Sequence, residues 1–273
     1  MFANSADRTT KADEGDEDEQ DMTYRDAERE WEDVLAAFDT FAYGLGRDFL
    51  PLPPDTTPPI STPFGQALQY RTDTIAAIWG FYYAGRTILH RFHPSMPPAM
   101  MVAAGVAAPT TAEYGQVIGR IAGGIYYPQR YNFQAGSLNP NMGSCLVELT
   151  VPIYFSAVQY TDTTQRRWIV TQMHEVSRLT GWESANIMVR GCESAWIVAA
   201  KQGRGPPYER LYQYGDQNTP FNASQKREED GAQQEGNSER RFVAISNASR
   251  KHWAMGILSL EDDVLNLDIE DRR

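Results

Sequence analysis

The chain of 273 residues contains only two cysteines, Cys145 and Cys192. Two thiols that lie far apart in sequence are too few for a disulfide scaffold, and they indicate a reducing compartment. Long apolar runs are missing as well, because charged residues on both sides limit the best candidate to residues 74–85, and this excludes a membrane-spanning helix. The first ten residues also lack the apolar segment of a signal peptide.

Clusters of basic residues are missing too. The formal net charge is −11, and most of it lies at the two ends of the chain. Residues 1–22 carry eight acids and two bases, and residues 261–273 carry six acids and two bases, so the body between them is nearly neutral. Duplex DNA is bound through Lys and Arg clusters that neutralise its phosphates. We therefore expect no direct DNA binding by this chain.

The motifs that mark common catalytic sites do not occur. The sequence has no GxSxG, HExxH, GxGxxG or phosphate-binding GxxxxGK[ST] pattern. His90 and His93 are three residues apart, but no carboxylate or cysteine accompanies them, which favours helix-end histidines over metal ligands. His174 and Glu175 form an isolated pair, which we interpret as a surface contact. We expect no enzymatic activity, no metal and no cofactor.

An apolar periodicity of 3.6 residues dominates Asp162–Pro207 and predicts two antiparallel helices. In the first helix the apolar stripe comprises Ile169, Met173, Val176 and Thr180. Asp162 is placed to cap its start, and Gly181 supplies the left-handed residue at its end. The opposite face is predicted to be solvent-exposed and consists of Arg166, Arg167, Gln172, Glu175 and Arg178.

The second helix repeats this pattern with mostly small residues, which permits close packing. Its stripe comprises Ala185, Met188, Val189, Cys192, Ala195, Trp196 and Ala199. Cys192 is predicted to be a small buried hydrophobe rather than a nucleophile. Glu193 lies at the edge of the stripe, either paired with one of the arginines Arg86, Arg120 and Arg204 or exposed as a surface carboxylate. Two glycines and two prolines within Gly203–Pro207 end the helix, and Arg204 between them is expected to cap helix-end carbonyls.

Upstream patterns predict further helices. The stripes indicate a core helix at 23–43, a proline-rich extended connector, the longest helix at 64–91, a helix at 97–123 bent at Pro109, and one at 141–160 kinked at Pro152. Gly85 within the third of these segments is expected to mark a close helix crossing. The predicted fold class is all-α, with about six helices stacked as antiparallel pairs in a bundle or short superhelix.

Composition divides the chain into four segments. Residues 1–22 are acidic and aperiodic, which predicts a disordered tail, and residues 23–210 form the all-helical domain. Residues 211–253 are predicted to be a polar linker. In residues 254–273 apolar side chains are interleaved with acids, which is typical of a disordered segment that orders on a coactivator, although a final helix packed on the body fits equally well. The partner-binding side chains of that segment would be Leu260, Val264, Leu265, Leu267 and Ile269.

One resemblance adds to these patterns. The run RLTGWESANIMVRGCESAWIVAAKQGRGPPY at residues 178–208 resembles the C-terminal part of the helical regulatory domain of fungal zinc-cluster (Zn2Cys6) transcription factors and of relatives that lack the cluster. Other stretches look like successive parts of that domain, in order over residues 27–210, among them REWEDVLAAF, IGRIAGGI and FSAVQYTD. The six clustered cysteines of the DNA-binding head are absent from this sequence.

The resemblance implies a regulatory function in the nucleus. It implies transcription regulation through protein or effector contacts, with a coactivator or a zinc-cluster family member as partner, and it is compatible with a small-molecule effector. The alternative is a cytosolic helical protein that binds a small metabolite and controls no genes. The residues that carry the family motif, to which we assign a structural role, are Gly181, Trp182, Gly191, Cys192, Glu193, Trp196, Gly203, Arg204, Gly205, Pro206 and Pro207.

Overall fold

The computed structural model describes residues 16–97, 100–126 and 138–212, and within these ranges the protein is all-α, as predicted. Seven α-helices and one small β-hairpin are present in the described residues, together with a 3-10 turn at Arg47–Phe49. The α-helices are α1 (Asp16–Gly44), α2 (Asp73–Arg91), α3 (Met100–Ile125), α4 (Pro140–Glu148), α5 (Thr150–Ala157), α6 (Thr163–Thr180) and α7 (Ser184–Lys201), and the strands are β1 (Ser61–Thr62) and β2 (Gly65–Gln66).

Helices α6 and α7 form the predicted antiparallel hairpin. The carboxylate of Asp162 accepts hydrogen bonds from the amides of Thr164 and Gln165 at 2.8 and 2.9 Å, which satisfies two free donors of the first turn. Gly181 ends α6 with a φ of 72°, the left-handed conformation that favours glycine. The predicted stripe of α7 is buried from Ala185 to Trp196. Both caps and the buried face of this hairpin are therefore confirmed.

The prediction for the outer face of α6 is wrong at Arg166, whose side chain is only 2% exposed. Its guanidinium lies over the ring of Trp196, 5.0 Å from the ring centroid, and its Nε donates to the carbonyl of Tyr160 at 2.6 Å. An arginine can bury its stem and stack its planar head on an aromatic ring, so a charged residue at this position does not mark the solvent side. Its neighbour Arg167 is exposed, as predicted.

Helices α2, α3, α5, α6 and α7 build the core. Helix α2 packs on α3 and α5, while α7 packs on α6 and α5. Helix α3 runs antiparallel to α2, because the amide of Leu68 just before α2 donates to Arg120 near the end of α3, and His90 near the end of α2 contacts Tyr114 in the middle of α3. The helices thus form antiparallel pairs, as the sequence pattern predicts, and the two pairs share α5.

Helix α2 begins at Asp73, nine residues later than the periodicity predicts. The hydroxyl of Thr72 accepts a hydrogen bond from the amide of Ile75 and caps the start. The apolar residues upstream of this cap belong instead to the β-hairpin, whose Phe64 is buried against the rings of Tyr160 and Trp168. The proline-rich connector is consequently not extended throughout, and its end packs on the core.

Helix α3 receives the β-hairpin on a face of glycines. A Cβ built on Gly119 or Gly123 would lie 2.3 Å from the side chain of Phe64 or Thr62, and one on Gly124 would lie 2.3 Å from the backbone oxygen of Leu68. Such contacts are too short for any real side chain. The glycines of the IGRIAGGI stretch therefore let a strand segment approach the helix backbone directly.

Gly124→Ala should destabilise the protein by about 1–3 kcal/mol, because the added methyl group meets a backbone carbonyl that cannot rotate away. Gly44→Ala at the end of α1 is the matched control, since nothing lies within 4 Å of its Cβ position. Urea unfolding of both variants checks the expectation. Equal stability of the two variants would contradict the close approach of residues 60–68 to α3.

Two prolines act differently within the helices. Helix α3 is continuous through Pro109, where the sequence predicts a bend. At Pro152, by contrast, the predicted single helix of residues 141–160 is two helices that meet at Leu149. Pro152 has no amide to donate to the carbonyl of Glu148, which is the last residue of α4. The missing hydrogen bond therefore coincides with the division between the two helices.

Helix α1 lies on the surface rather than in the core, which corrects the prediction for residues 23–43. Its described side chains are half-buried or exposed, and it packs mainly on α2. It begins at Asp16, so its first seven residues come from the segment predicted to be disordered, and acids in the first turns of a helix are favoured by the helix dipole. Residues 1–15, and the predicted linker and C-terminal segment from residue 213 onward, lie outside the described residues.

Candidate functional site

An open apolar groove runs between α1 and α2 and has a volume of about 540 Å³. Its floor and walls come from α1, from α2 and from one residue of α4, namely Val34, Ala37, Phe38, Phe41, Thr74, Ala77, Ile78, Phe81, Tyr82 and Glu148. Three of the large apolar side chains are widely exposed to solvent: Val34 by 40%, Phe41 by 48% and Phe81 by 44%. Such a set of neighbouring exposed apolar residues is typical of an interaction site rather than of a free surface.

Three contacts fix α1 to α2 and so shape the groove. The indole nitrogen of Trp31 donates to the carbonyl of Leu89 at 2.7 Å. Phe38 lies on Gly85, where a Cβ would be 2.6 Å from its ring, and this confirms the close helix crossing predicted at that glycine. Arg86, whose side chain is largely buried, forms an ion pair with Asp39. The groove is therefore preformed by direct packing of the two helices.

The rim of the groove is acidic. Helix α1 contains eleven Asp and Glu residues and two Arg residues. Glu30 and Asp33 precede the lining residues Val34 and Ala37 by one helical turn, so they continue the same face of α1. Glu148 adds a carboxylate from α4. An apolar floor is thus bordered by negative charge.

A second cluster joins the residues of the family motif around α7. Trp196 is fully buried, and its ring contacts the guanidinium of Arg166 on one side and the ring of Tyr208 at 4.9 Å. The hydroxyl of Tyr208 donates to the carboxylate of Glu193 at 2.9 Å, and the amide of Leu211 lies 3.4 Å from the same oxygen. This cluster ties residues 205–211 back onto the hairpin, and the structural role of the motif stays a prediction.

Glu193 is fully buried, so it is not a surface carboxylate. The three arginines that we predicted as its possible partners contact other groups. Arg86 pairs with Asp39, Arg120 donates to the carbonyl of Gln66 at 2.7 Å, and Arg204 bonds the side chain of Gln202. A tyrosine hydroxyl meets Glu193 in this structure, because Tyr208 follows the prolines that turn the chain back. The sequence pattern does not reveal that turn.

The remaining motif residues are spread along the hairpin. Gly181 and Gly203 have φ values of 72° and 68° and end α6 and α7, and Gly205 lies against the guanidinium of Arg166. Cys192 is buried, as predicted, whereas Trp182 is 44% exposed and Gly191 is partly buried on α7. Pro206 is partly buried and Pro207 exposed. Arg204 lies 3.2 Å from the Cβ position of Gly105 on α3, and its guanidinium bonds the side chain of Gln202, so the expected capping of helix-end carbonyls is wrong. The C-terminal candidates from Leu260 to Ile269 lie outside the described residues.

The three histidines within the described residues contact aromatic or amide groups. His90 and His93 both face the ring of Trp31, with centroid distances of 5.6 and 4.6 Å. Burial, together with Arg86 and the neighbouring His93, lowers the pKa of His90. His174 bonds Asn186 at 2.7 Å, whereas Glu175 pairs with Arg178. No group of three or more His, Cys, Asp or Glu side chains that could hold a metal ion occurs among the described residues.

Buried hydroxyl and thiol groups predict a loss of stability in alkali. Burial raises the pKa of Cys192, Tyr70, Tyr154 and Tyr160 above the ordinary values of 9.0 and 10.0. In the unfolded chain these groups ionise at their ordinary values, so their stabilisation is complete below about pH 9 and is lost as the pH rises further, by up to about 1.4 kcal/mol per pH unit for each group. Burial lowers the pKa of Arg91 to about 10 and also lowers that of Arg166, which acts in the opposite direction, but two such groups stand against four.

Urea unfolding at neutral pH and in steps above pH 10 measures this loss. Tyr154→Phe is the matched variant, because it removes one ionisable hydroxyl from the core. Its free energy of unfolding should fall less steeply with pH, by about the contribution of one group. A free energy of unfolding that stays constant to about pH 11 would contradict the burial of these groups.

Comparison of the chain with family models, with curated proteins and with solved structures finds no match. The resemblance to zinc-cluster regulators therefore stays a prediction. Within the described residues, no helix has the length and apolarity that crossing a membrane requires.

Proposed function

We propose that the protein is a helical interaction domain that acts in transcription regulation through a protein partner rather than through its own contacts with DNA. The groove between α1 and α2 carries this proposal, because it exposes three large apolar side chains on a rigid pair of helices. Helix pairs with such grooves recognise amphipathic segments of other proteins. The link to transcription, and to the nucleus, rests on the resemblance of residues 27–210 to the zinc-cluster regulators.

The charge of the chain supports action through a protein partner rather than direct binding to DNA. The net charge is −11, and α1, which forms one wall of the groove, has nine more acids than bases. Such a surface repels a phosphate backbone. Recruitment to promoters would then require a partner that holds the DNA-binding head, such as a zinc-cluster family member.

The volume of the groove also suits a second function. About 540 Å³ falls within the range of small-molecule sites, so an apolar metabolite is the alternative occupant, in a cytosolic protein without a role in gene control. The open shape favours the helical partner, because small-molecule sites bury most of the surface of their ligand.

Localisation of the tagged full-length chain, combined with chromatin immunoprecipitation, tests the proposed function. We expect nuclear signal and enrichment at a defined set of promoters, while the purified chain shows no sequence-dependent binding to duplex DNA at physiological salt. Signal confined to the cytosol, with no chromatin enrichment, would favour the metabolite-binding alternative.

A further inference from the structure

The apolar stripe of α1 is wider than its contact with α2. Phe38 is partly buried against Gly85, whereas Val34 and Phe41 flank it and remain open to solvent, facing the exposed ring of Phe81 across the groove. On a surface helix the side that faces solvent is normally polar. The uncovered part of the stripe is therefore available to a further apolar element.

The spacing of these residues fits a helix as that element. Val34, Phe38 and Phe41 recur at intervals of four and three on α1, and on α2 Phe81 and Tyr82 follow Ile78 by three and four residues. Two parallel rows of side chains leave a channel between them into which a third helix can insert residues at i, i+3, i+4 and i+7.

The charge around the channel defines the occupant further. Glu148 lines the groove, and Glu30 and Asp33 lie one helical turn before the lining residues Val34 and Ala37; all three carboxylates are exposed. Helix α1 as a whole has eleven acids and two bases. Arg86, next to the glycine on which Phe38 packs, is already paired with Asp39. A ligand with Lys or Arg beside its apolar face meets opposite charge along this rim.

We propose that the groove between α1 and α2 binds an amphipathic helix of a partner protein whose apolar face is flanked by Lys and Arg residues. This inference rests on the proposed function as an interaction domain and specifies the chemistry of its partner. Apolar burial supplies affinity, and the acidic rim selects against acidic helices and sets the orientation of the bound one.

The chain itself offers two less suitable occupants. Residues 254–273 contain apolar side chains, but the six acids within 261–273 would face the acidic rim. A second copy of the chain would bring its own acidic α1 to the groove. Like charges placed together across an interface oppose binding, so both occupants are disfavoured relative to a basic partner.

Fluorescence anisotropy with designed peptides of about 20 residues tests the proposal on the full-length chain. The probe carries Leu at i, i+3, i+4 and i+7 and Lys elsewhere, and its two controls are a scrambled peptide of the same composition and a peptide with Glu in place of Lys. We expect saturable binding of the basic amphipathic peptide, at least about tenfold tighter than either control, and weakening as salt is added.

Substitutions locate the binding surface. Phe41→Gln and Phe81→Gln should each weaken binding of the basic peptide by about tenfold or more, while Ile187→Gln, at a similarly exposed position on α7, should leave it unchanged. The double charge reversal Glu30→Lys and Asp33→Lys alters only exposed side chains, so the fold is retained. This double variant should bind the basic peptide more weakly and the acidic peptide more tightly than the wild-type chain does.

Several results would overturn the proposal. Equal binding of the scrambled and amphipathic peptides would show attraction by charge alone. A wild-type dimer that Phe41→Gln converts to a monomer would assign the groove to a second copy of the chain. Tenfold tighter peptide binding after alanine replacement of Leu265, Leu267 and Ile269 would assign it to the C-terminal segment. Chromatin enrichment that persists in Phe81→Gln would reject this groove while leaving the proposed function intact.

Discussion

Replacement of Trp196 by alanine should lower the free energy of unfolding by about 3–5 kcal/mol. Trp196 is fully buried between α5, α6 and the segment after α7, and its indole nitrogen donates to the carbonyl of Ala157 at 2.9 Å. Truncation removes the ring that packs against Arg166 and Tyr208, leaves a cavity, and removes one of the two donors to that carbonyl, the other being the amide of Tyr160.

Denaturant unfolding followed by far-UV circular dichroism measures this effect. Trp182→Ala is the matched control, because the same residue type is removed from the 44% exposed position at the turn between α6 and α7. The control should change stability by no more than about 0.5 kcal/mol. Similar shifts for the two variants would place Trp196 outside the core.

Replacement of Arg166 by alanine should cost about 2–4 kcal/mol, although the sequence pattern predicts an almost neutral change at this residue. The substitution leaves the carbonyl of Tyr160 without its donor and removes the cation from the face of Trp196. Arg167→Ala, one position further on the exposed face, should be nearly neutral.

A third variant separates packing from charge. The Nη1 atom of Arg166 is buried without a hydrogen-bond partner, and burial lowers the pKa of this arginine, so the buried cation carries a desolvation cost. Arg166→Met keeps most of the volume and removes that cost, and it should destabilise the protein less than Arg166→Ala. Thermal melts of Arg166→Ala, Arg166→Met and Arg167→Ala test these expectations. Equal stability of the two alanine variants would indicate that Arg166 is exposed, as the sequence pattern predicts.

Local sequence signals predict the helices well where the deciding contacts are near in sequence. Asp162 and Gly181 cap α6 through groups within four residues, so their roles follow from the sequence. The start of α2 does not follow from the sequence. Phe64 and Ala67 fit a helical stripe, but they are buried instead in a hairpin on the glycines of α3. The energy of that packing exceeds the local preference.

The candidate site could be predicted only in part. The apolar stripe of α1 is visible in the sequence, but whether another element covers it depends on how α1 crosses α2, and Gly85 gives the only local indication. The burial of Arg166 and Glu193 depends on Tyr208, which reaches them after the chain reverses beyond α7. Periodicity within one helix carries no information about such a contact.

The two buried thiols have a practical consequence for kinetics. Cys192 lies within the core and Cys145 on α4, close to where that helix borders the groove, and both are shielded from solvent. A thiol reagent therefore reacts with either residue only after that part of the protein opens. Because α4 is a nine-residue helix at the edge of the core, Cys145 should become labelled through local opening, whereas labelling of Cys192 should follow the rate of global unfolding. The labelling rates of Cys145 and Cys192 in the wild-type chain thus report local opening and global unfolding separately.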